Sequence, residues 1–444
     1  MDMQDIMKNM PPEFSKYVDD AIKQQNVNDD MLKKHKVNLI VAGKTGTGKS
    51  TLINVCFRKE LAKTGMGRPV TKETQIIEDE DMPLRIYDTV GLELTESTKD
   101  SVINGIHNLI ESNRYKDTEI HCVWYCVLAG SNRFEQAEED LITDIRSLSI
   151  PVILVITQPY RKQQTEQFIK SIQECGTMAQ EICPVLALDD EELSIRAYGK
   201  DDLIKKTCSY LKDENLRNSW INASSNLDLK RSSALDKIHK AVALAGAAAA
   251  APIPLADAAM LIPIQMTMMA GITMSYGVTM SKSQIINLLT SLLGVGAATY
   301  AGRAIFTNLI KIIPGAGSII GGIVGAGTAV VITYVLGQSF MFIVENIFTG
   351  KLSFDALDND LVKSIMKSNM KKTQEAVKNA GGLKDLNIKE FEDQMNKQIF
   401  EDFSTIDSSK DTLFFSDLDK QNENVIPTSQ GSISSIFNKL FSKK

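Results

Sequence analysis

The sequence is poor in the residues that build disulfide frameworks and zinc centres. Its 444 residues hold six cysteines, Cys56, Cys122, Cys126, Cys175, Cys183 and Cys208, too few for a disulfide scaffold at this length. Cys122 and Cys126 stand at even spacing in an apolar run, which puts them on one face of a strand as packing residues. The four histidines, His35, His107, His121 and His239, fall at no ligand spacing, which argues against a zinc enzyme. Basic residues form no long stripe. Lys plus Arg number 49 against 55 Asp plus Glu, for a net charge of −6, so no dedicated nucleic-acid binding is expected. The opening Met1-Asp2-Met3-Gln4-Asp5 lacks a basic region followed by an apolar one, and the expectation is a cytoplasmic, non-secreted protein.

Charge is scarce in one part of the chain. From Ala241 to Val344, 104 residues carry four charges, Asp257, Lys282, Arg303 and Lys311, and the other 340 residues carry the remaining 100. The overall balance of 43 % apolar and 23 % charged residues is that of a globular protein. The expected partition is a helical extension at 1–35, an α/β domain at 36–212 and a connecting helix at 213–240. A hydrophobic helical domain at 241–350, an amphipathic helical segment at 351–403 and a flexible tail at 404–444 follow. The end of that tail sets Ile436, Phe437, Leu440 and Phe441 on one helical face beside Lys439, Lys443 and Lys444, which suits either a solvated tail or a short interfacial helix.

The first half alternates short apolar runs with amphipathic stretches. Val37–Ala42, Leu84–Tyr87, His121–Leu128 and Pro151–Ile156 read as buried strands, and Ser50–Glu60, Lys99–Asn113, Glu135–Ser147 and Thr165–Glu174 as helices between them. That alternation predicts a mostly parallel sheet with helices on both faces.

Residues Gly43–Ser50 spell Gly-Lys-Thr-Gly-Thr-Gly-Lys-Ser, a G-x-x-x-x-G-K-[ST] between a strand and a helix. Glycines let backbone N–H groups curl around a phosphate, and the helix N-terminus favours its charge. In such a loop Lys49 supplies a cation to the β- and γ-phosphates and the Ser50 hydroxyl ligates Mg²⁺. The strand Leu84–Tyr87 ends in Asp88-Thr89-Val90-Gly91, a D-x-x-G whose Asp can hold Mg²⁺ through water and whose Gly N–H can meet the γ-phosphate. Between the motifs lies a polar loop, Gly67–Thr74, in which Thr71 rather than Thr74 has the position to complete the metal shell.

Over Lys36–Leu211 the chain resembles the Era-like, translation-factor-related branch of P-loop GTPases. The resemblance implies a nucleotide site of Gly43, Lys44, Thr45, Gly46, Thr47, Gly48, Lys49, Ser50, Thr51, Asp88, Gly91, Thr157 and Gln158. It implies a Mg²⁺ shell of Ser50, Thr71 and Asp88, catalytic roles for Lys49, Thr71 and Gly91, and GTP or GDP with Mg²⁺ as cofactors. Two departures stand out. The base-reading N/T-K-x-D is here Thr157-Gln158-Pro159-Tyr160, so the aspartate that reads guanine is a tyrosine; the later base-contacting loop, Pro184–Leu188, lacks Ser-Ala-Lys. Leu92 follows Gly91 where many small GTPases carry a water-orienting glutamine, and Gly46 stands where some relatives have a potassium-binding asparagine. Slow hydrolysis, accelerated by a partner or a second copy, is the expectation. The missing aspartate also leaves open an ATP-using enzyme, against which the D-x-x-G argues.

The apolar half holds three uncharged stretches, Ala258–Ser281, Ser283–Gly302 and Ile312–Val344, each as long as the ~20 residues a membrane span needs. Gly317, Gly321 and Gly325 make a small-residue stripe. A membrane-associated domain and a soluble bundle packed through Ala and Gly both fit. Asn226–Lys230, Pro252–Asp257, Tyr276-Gly277-Val278 and Ile313–Gly317 together resemble the helical "domain of unknown function 697" over about Asn226–Phe348. The expected architecture is thus an α/β P-loop G domain followed by an all-α, Ala/Gly-rich hydrophobic helical domain. The expected partners are guanine nucleotide, a second copy through the G domain, and a membrane through 241–350. The expected function is a slow GTPase switch coupled to the helical domain; the alternative is a nucleotide-binding scaffold with little or no turnover.

Overall fold

The computed structural model describes residues 12–57, 61–62, 75–89, 98–250, 257–285, 288, 326–354, 357, 359–379 and 390–391. The glycine stripe at Gly317, Gly321 and Gly325, most of the stretch Ser283–Gly302 and the tail at 404–444 lie outside the described residues. The chain divides into two compact units, one formed by Val27–Ser233 and the other by Met1–Asn26 with Ala234–Lys444.

The first unit is built on a six-stranded sheet of β1 (Val37–Gly43), β2 (Gln75–Glu78), β3 (Leu84–Asp88), β4 (Cys122–Leu128), β5 (Val152–Thr157) and β6 (Glu181–Val185). The strand order is β2-β3-β1-β4-β5-β6. Neighbouring strands run parallel except β2, which pairs antiparallel with β3 at one edge. All seven residues of β1 are buried, and their two-residue period divides them between two cores. Val37, Leu39 and Val41 join Cys122, Trp124 and Cys126 on one face, while Ile40 and Ala42 join Val123 and Tyr125 on the other. Cys122 and Cys126 therefore share a face as packing residues, and burial pushes both thiols up to about 12.

Helix α1 spans Pro12–Lys34, α2 Lys49–Phe57, α3 Lys99–Asn113, α4 Gln136–Ser147 and α5 Lys162–Glu174. The first core is closed by α2, α6 (Lys200–Tyr210) and α7 (Glu214–Ala223), the second by α3, α4 and α5. The two tryptophans of the chain meet Phe57 in the first core. Ring centroids lie 6.2 Å apart for Phe57–Trp124, 5.5 Å for Phe57–Trp220 and 5.8 Å for Trp124–Trp220. Each indole N–H is satisfied, Trp124 on the Thr207 hydroxyl and Trp220 on the Ile204 carbonyl, both at 3.0 Å.

The stretch 213–240 is two helices, not one. Helix α7 ends at Ala223, and α8 runs Leu227–Ala250. Between them Ser224 is extended, and the Asn226 side chain accepts from Leu229 N at 2.8 Å as an N-cap. The fully buried Lys230 donates to the Ile221 and Asn222 carbonyls at 2.7 and 2.8 Å, satisfying acceptors that the end of α7 would otherwise leave open. The boundaries between the two units fall inside α1 and inside α8.

The second unit is helical. Helices α9 (Asp257–Tyr276, with Pro263 inside it), α10 (Ala326–Phe348) and α11 (Asn359–Asn379) pack in sequence with the ends of α1 and α8 that belong to this unit. The close approach of α8 and α10 needs Gly337, where a Cβ would stand 2.8 Å from Ile238. Gln25 of α1 pairs both ways with the backbone of Met280, donating to its carbonyl at 3.1 Å and accepting from its N–H at 3.2 Å. Among the described residues, the helix Gly327–Phe348 is long and apolar enough to cross a membrane, and 83 % of its apolar window is buried inside the protein.

Candidate functional site

The candidate site forms where the parallel strands β1, β3 and β5 end. Gly43 closes β1 with φ +140°, and a Cβ there would stand 2.3 Å from the Cys126 carbonyl oxygen on β4. Glycine at this position is therefore required by the approach of two backbones. Gly46 and Gly48 are both left-handed, at φ +80° and +83°, and α2 begins at Lys49. Residues alternating into this conformation make a concave row of N–H groups suited to an anion, and Thr45 and Gly46 are exposed at its mouth.

The Lys49 side chain is buried and turns back into the loop, donating to the carbonyls of Gly43 at 2.9 Å and Lys44 at 3.2 Å. Burial lowers its pKa, against the charge of Asp88. The Lys44 carbonyl also accepts from the Thr47 hydroxyl at 2.9 Å and the Thr47 N–H at 3.4 Å. Asp88 ends β3 in register with Val41 of β1 and is buried. Thr89 beside it donates its N–H and hydroxyl to the Val41 carbonyl at 3.1 and 3.2 Å. Ser50 and Thr51 occupy the first turn of α2.

The structure brings Thr157 and Gln158 to the same end of the sheet. Thr157 closes β5 and donates to the Val127 carbonyl at 3.2 Å. Gln158 has φ +54°, and its amide nitrogen lies 3.5 Å from where a Cβ on Gly48 would stand. Tyr160 is partly exposed, at 39 %. Thr71, Gly91 and Leu92 lie outside the described residues.

These residues fit a nucleoside phosphate. The loop offers N–H donors and a buried cation, while Ser50 and Asp88 offer oxygen donors. A hydroxyl and a carboxylate completed by phosphate oxygens and water suit a hard ion such as Mg²⁺.

Residues 38–158 match the family described as 50S ribosome-binding GTPase, and residues 220–375 match the domain of unknown function DUF697. The chain carries a P-loop GTPase domain joined to a DUF697 domain. It is 29 % identical over 122 residues to the tRNA modification GTPase MnmE of Petrotoga mobilis, covering 27 % of this chain and 25 % of that protein. It is 34 % identical over 105 residues to Magnetosome membrane protein 22 of Magnetospirillum gryphiswaldense, covering 24 % of this chain and 54 % of that protein. The chain thus spans a quarter of one of these curated relatives and about half of the other. Among solved structures, Era of Aquifex aeolicus bound to GDP·AlF4⁻ is similar at 20 % identity and a TM-score of 0.31, over 47 % of this chain and 68 % of that one.

Two features of the GTPase domain escape a motif reading. The segment after β6 folds back on itself, with Leu186 bridged to Tyr198 and Asp190 to Ile195, and the Tyr198 hydroxyl donates to the Pro159 carbonyl at 2.9 Å. This bond ties the segment to the loop that carries Tyr160. The second feature is an ion pair from Lys44 to Glu135 at 2.9 Å. Its one trace in the sequence is the Glu135-x-x-Glu138 spacing of a capping box.

Proposed function

We propose that the chain is a guanine-nucleotide switch that binds GTP and GDP with Mg²⁺ and hydrolyses GTP slowly. The observation that carries this reading is the loop Gly43–Ser50 between buried strand β1 and helix α2, with Asp88 at the tip of the adjoining strand. In this reading the loop N–H groups hold the phosphates and Lys49 balances their charge. Ser50, Thr71 and Asp88 hold Mg²⁺, and Thr71 and Gly91 sense the γ-phosphate. Lys49 would exchange its bonds to the loop carbonyls for phosphate oxygens. Leu92 has no polar atom with which to orient water, which supports slow turnover. Tyr160 has no carboxylate for guanine, so the preference for guanine over adenine is expected to be weak.

The helical unit carries the output of the switch, by docking on a membrane or on a second copy. The apolar helix Gly327–Phe348 and the membrane protein among the relatives support the membrane, with the cytoplasm as the compartment of the GTPase domain. The alternative, a nucleotide-binding scaffold with little turnover, is favoured by Leu92 and Tyr160 together.

Equilibrium binding of fluorescent GDP, GTP and ATP to the full chain, with and without Mg²⁺, tests the reading. Lys49→Ala should weaken every nucleotide by about 100-fold or more, as loss of a buried charge partner does; unchanged affinity would remove the site assignment. Multiple-turnover phosphate release, with Ser50→Ala and Asp88→Ala as controls, separates switch from scaffold. Release that falls in both controls supports the switch, and no release above them supports the scaffold.

A further inference from the structure

The Lys44 side chain leaves the phosphate loop and ends on helix α4. Its ammonium lies 2.9 Å from Glu135 Oε1 and 3.9 Å from Glu138 Oε1. Those two carboxylates form the capping box of α4, in which the Glu138 side chain accepts from the Glu135 N–H at 2.8 Å. Glu138 is itself buried, at 2 % exposure, and its other oxygen accepts from the Tyr125 hydroxyl of β4 at 3.1 Å. Burial raises the pKa of Glu138, while the charge of Lys44 opposes that rise. The Lys44 cation is thus the charge that faces a buried carboxylate.

At its other end, the backbone of Lys44 is the hub of the loop. Its carbonyl takes bonds from Lys49 Nζ, Thr47 Oγ1 and Thr47 N. Lys49 holds the loop carbonyls, whereas the Lys44 side chain is paired on α4, away from them. The pair to α4 would thus hold Lys44, the residue after Gly43, while Lys49 turned to a phosphate.

We propose that Lys44 is a positioning residue for nucleotide binding, which acts through the Glu135–Glu138 cap of α4 and not by contact with phosphate. This rests on the nucleotide reading of the loop given above. The pair is partly exposed, with Lys44 at 32 % and Glu135 at 45 %, so its removal should weaken nucleotide by about two- to fivefold.

The test uses the full chain and fluorescent GDP, with Lys44→Met, Lys44→Arg, Glu135→Gln, Glu138→Gln and the double variant Lys44→Met/Glu135→Gln. Glutamine keeps one acceptor oxygen at each cap position and removes the charge; at Glu138, whose two oxygens accept from the Glu135 N–H and the Tyr125 hydroxyl, one acceptor is also lost. The expected result is equal weakening in Lys44→Met and Glu135→Gln, no further loss in the double variant, and recovery in Lys44→Arg. Two results would overturn the proposal: weakening in Lys44→Met with none in Glu135→Gln, which makes Lys44 a direct phosphate contact, or additive losses.

Amide hydrogen exchange without nucleotide separates this proposal from the reading beneath it. Lys44→Met should speed exchange both in residues 44–48 and in the first turn of α4. Should wild type bind no nucleotide while that linked exchange persists, the nucleotide reading falls and the clamp stands. Should exchange in α4 be unaffected by Lys44→Met, the clamp falls whatever the nucleotide does.

Discussion

In the sheet unit, β1 buries seven consecutive residues by sending alternate side chains into two cores. In the helical unit, α10 buries nearly all of its length, polar residues included: Thr333, Gln338, Ser339, Glu345 and Asn346 are all buried. The sheet locks its strands through backbone bonds, and the space between sheet and helices is filled mainly by apolar side chains, crossed by the bonds of Trp124 to Thr207 and of Tyr125 to Glu138. A helix satisfies its backbone internally, and an apolar face can slide or rotate against another apolar face. Directional side-chain bonds remove that freedom. Gln265 of α9 donates to Thr333 at 3.2 Å, Tyr276 of α9 to Glu345 at 2.7 Å, and Asn369 of α11 to Ser339 at 3.0 Å. In the sheet unit the buried Asp88 and Thr157 stand at strand ends beside the phosphate loop; in the helical unit buried polar side chains fix how three helices meet.

Substitutions can break this contrast, and the largest effect is expected at Gly43. Gly43→Ala places a Cβ against the Cys126 carbonyl and should cost the sheet unit about 3 kcal/mol or more. Calorimetry should show one transition lowered, with exchange protection in α9 and α10 retained. Loss of protection in both units at once would mean that they unfold as one.

The next effect is one of pH. The His121 Nδ1 accepts from the Asn38 N–H at 2.9 Å, and burial, opposed by the charge of Asp213, lowers its pKa from 6.5 to about 4. The folded state thus keeps this histidine neutral where the unfolded chain protonates it. Its contribution is fully present above pH 6.5 and is lost as pH falls towards 4, by at most about 1.4 kcal/mol per unit. Denaturant titrations of wild type and His121→Gln between pH 7 and pH 4 should converge as the pH falls.

In the helical unit, Tyr276→Phe removes the donor to the buried Glu345 and should cost about 1–3 kcal/mol. Faster exchange in α9 and α10 with unchanged nucleotide affinity is the expected pattern, and unchanged exchange would deny the bond its role in fixing the helices. The smallest effect is expected for the exposed pair of Lys282 and Asp19 at 2.7 Å. Lys282→Met should change the thermal midpoint by less than the equivalent of about 1 kcal/mol, and a larger shift would show that the pair anchors α1 to its unit.

Much of the GTPase domain was legible in its sequence. The strands near Val37, Leu84, Cys122 and Val152 lie at the centre of the sheet, so they read as apolar runs. The two edge strands did not show themselves. β2 is mostly exposed, and β6 contains Pro184, which an edge tolerates because one side of the strand needs no partner. The phosphate loop was legible because glycine positions and a lysine at fixed spacing are demanded by local backbone geometry. The Lys44 pair was hidden, since its partners lie on a helix about 90 residues away along the chain, brought near only by the β1–β4 pairing.

The apolar half shows the limit from the other side. Its composition announced long buried helices, but a helix apolar on all sides suits a protein core and a lipid bilayer equally. At the break at Ser224–Asn226 the end of α7 is satisfied by a buried lysine, and Lys230 looks in sequence like any solvated lysine. What the sequence determined by itself is therefore the local part: which segments are strands or helices, and where a phosphate-type loop must turn. The tertiary structure alone decided which charges are buried, which loop is tied to which helix, and what covers each apolar face, because those depend on residues far apart in the chain that only packing brings together.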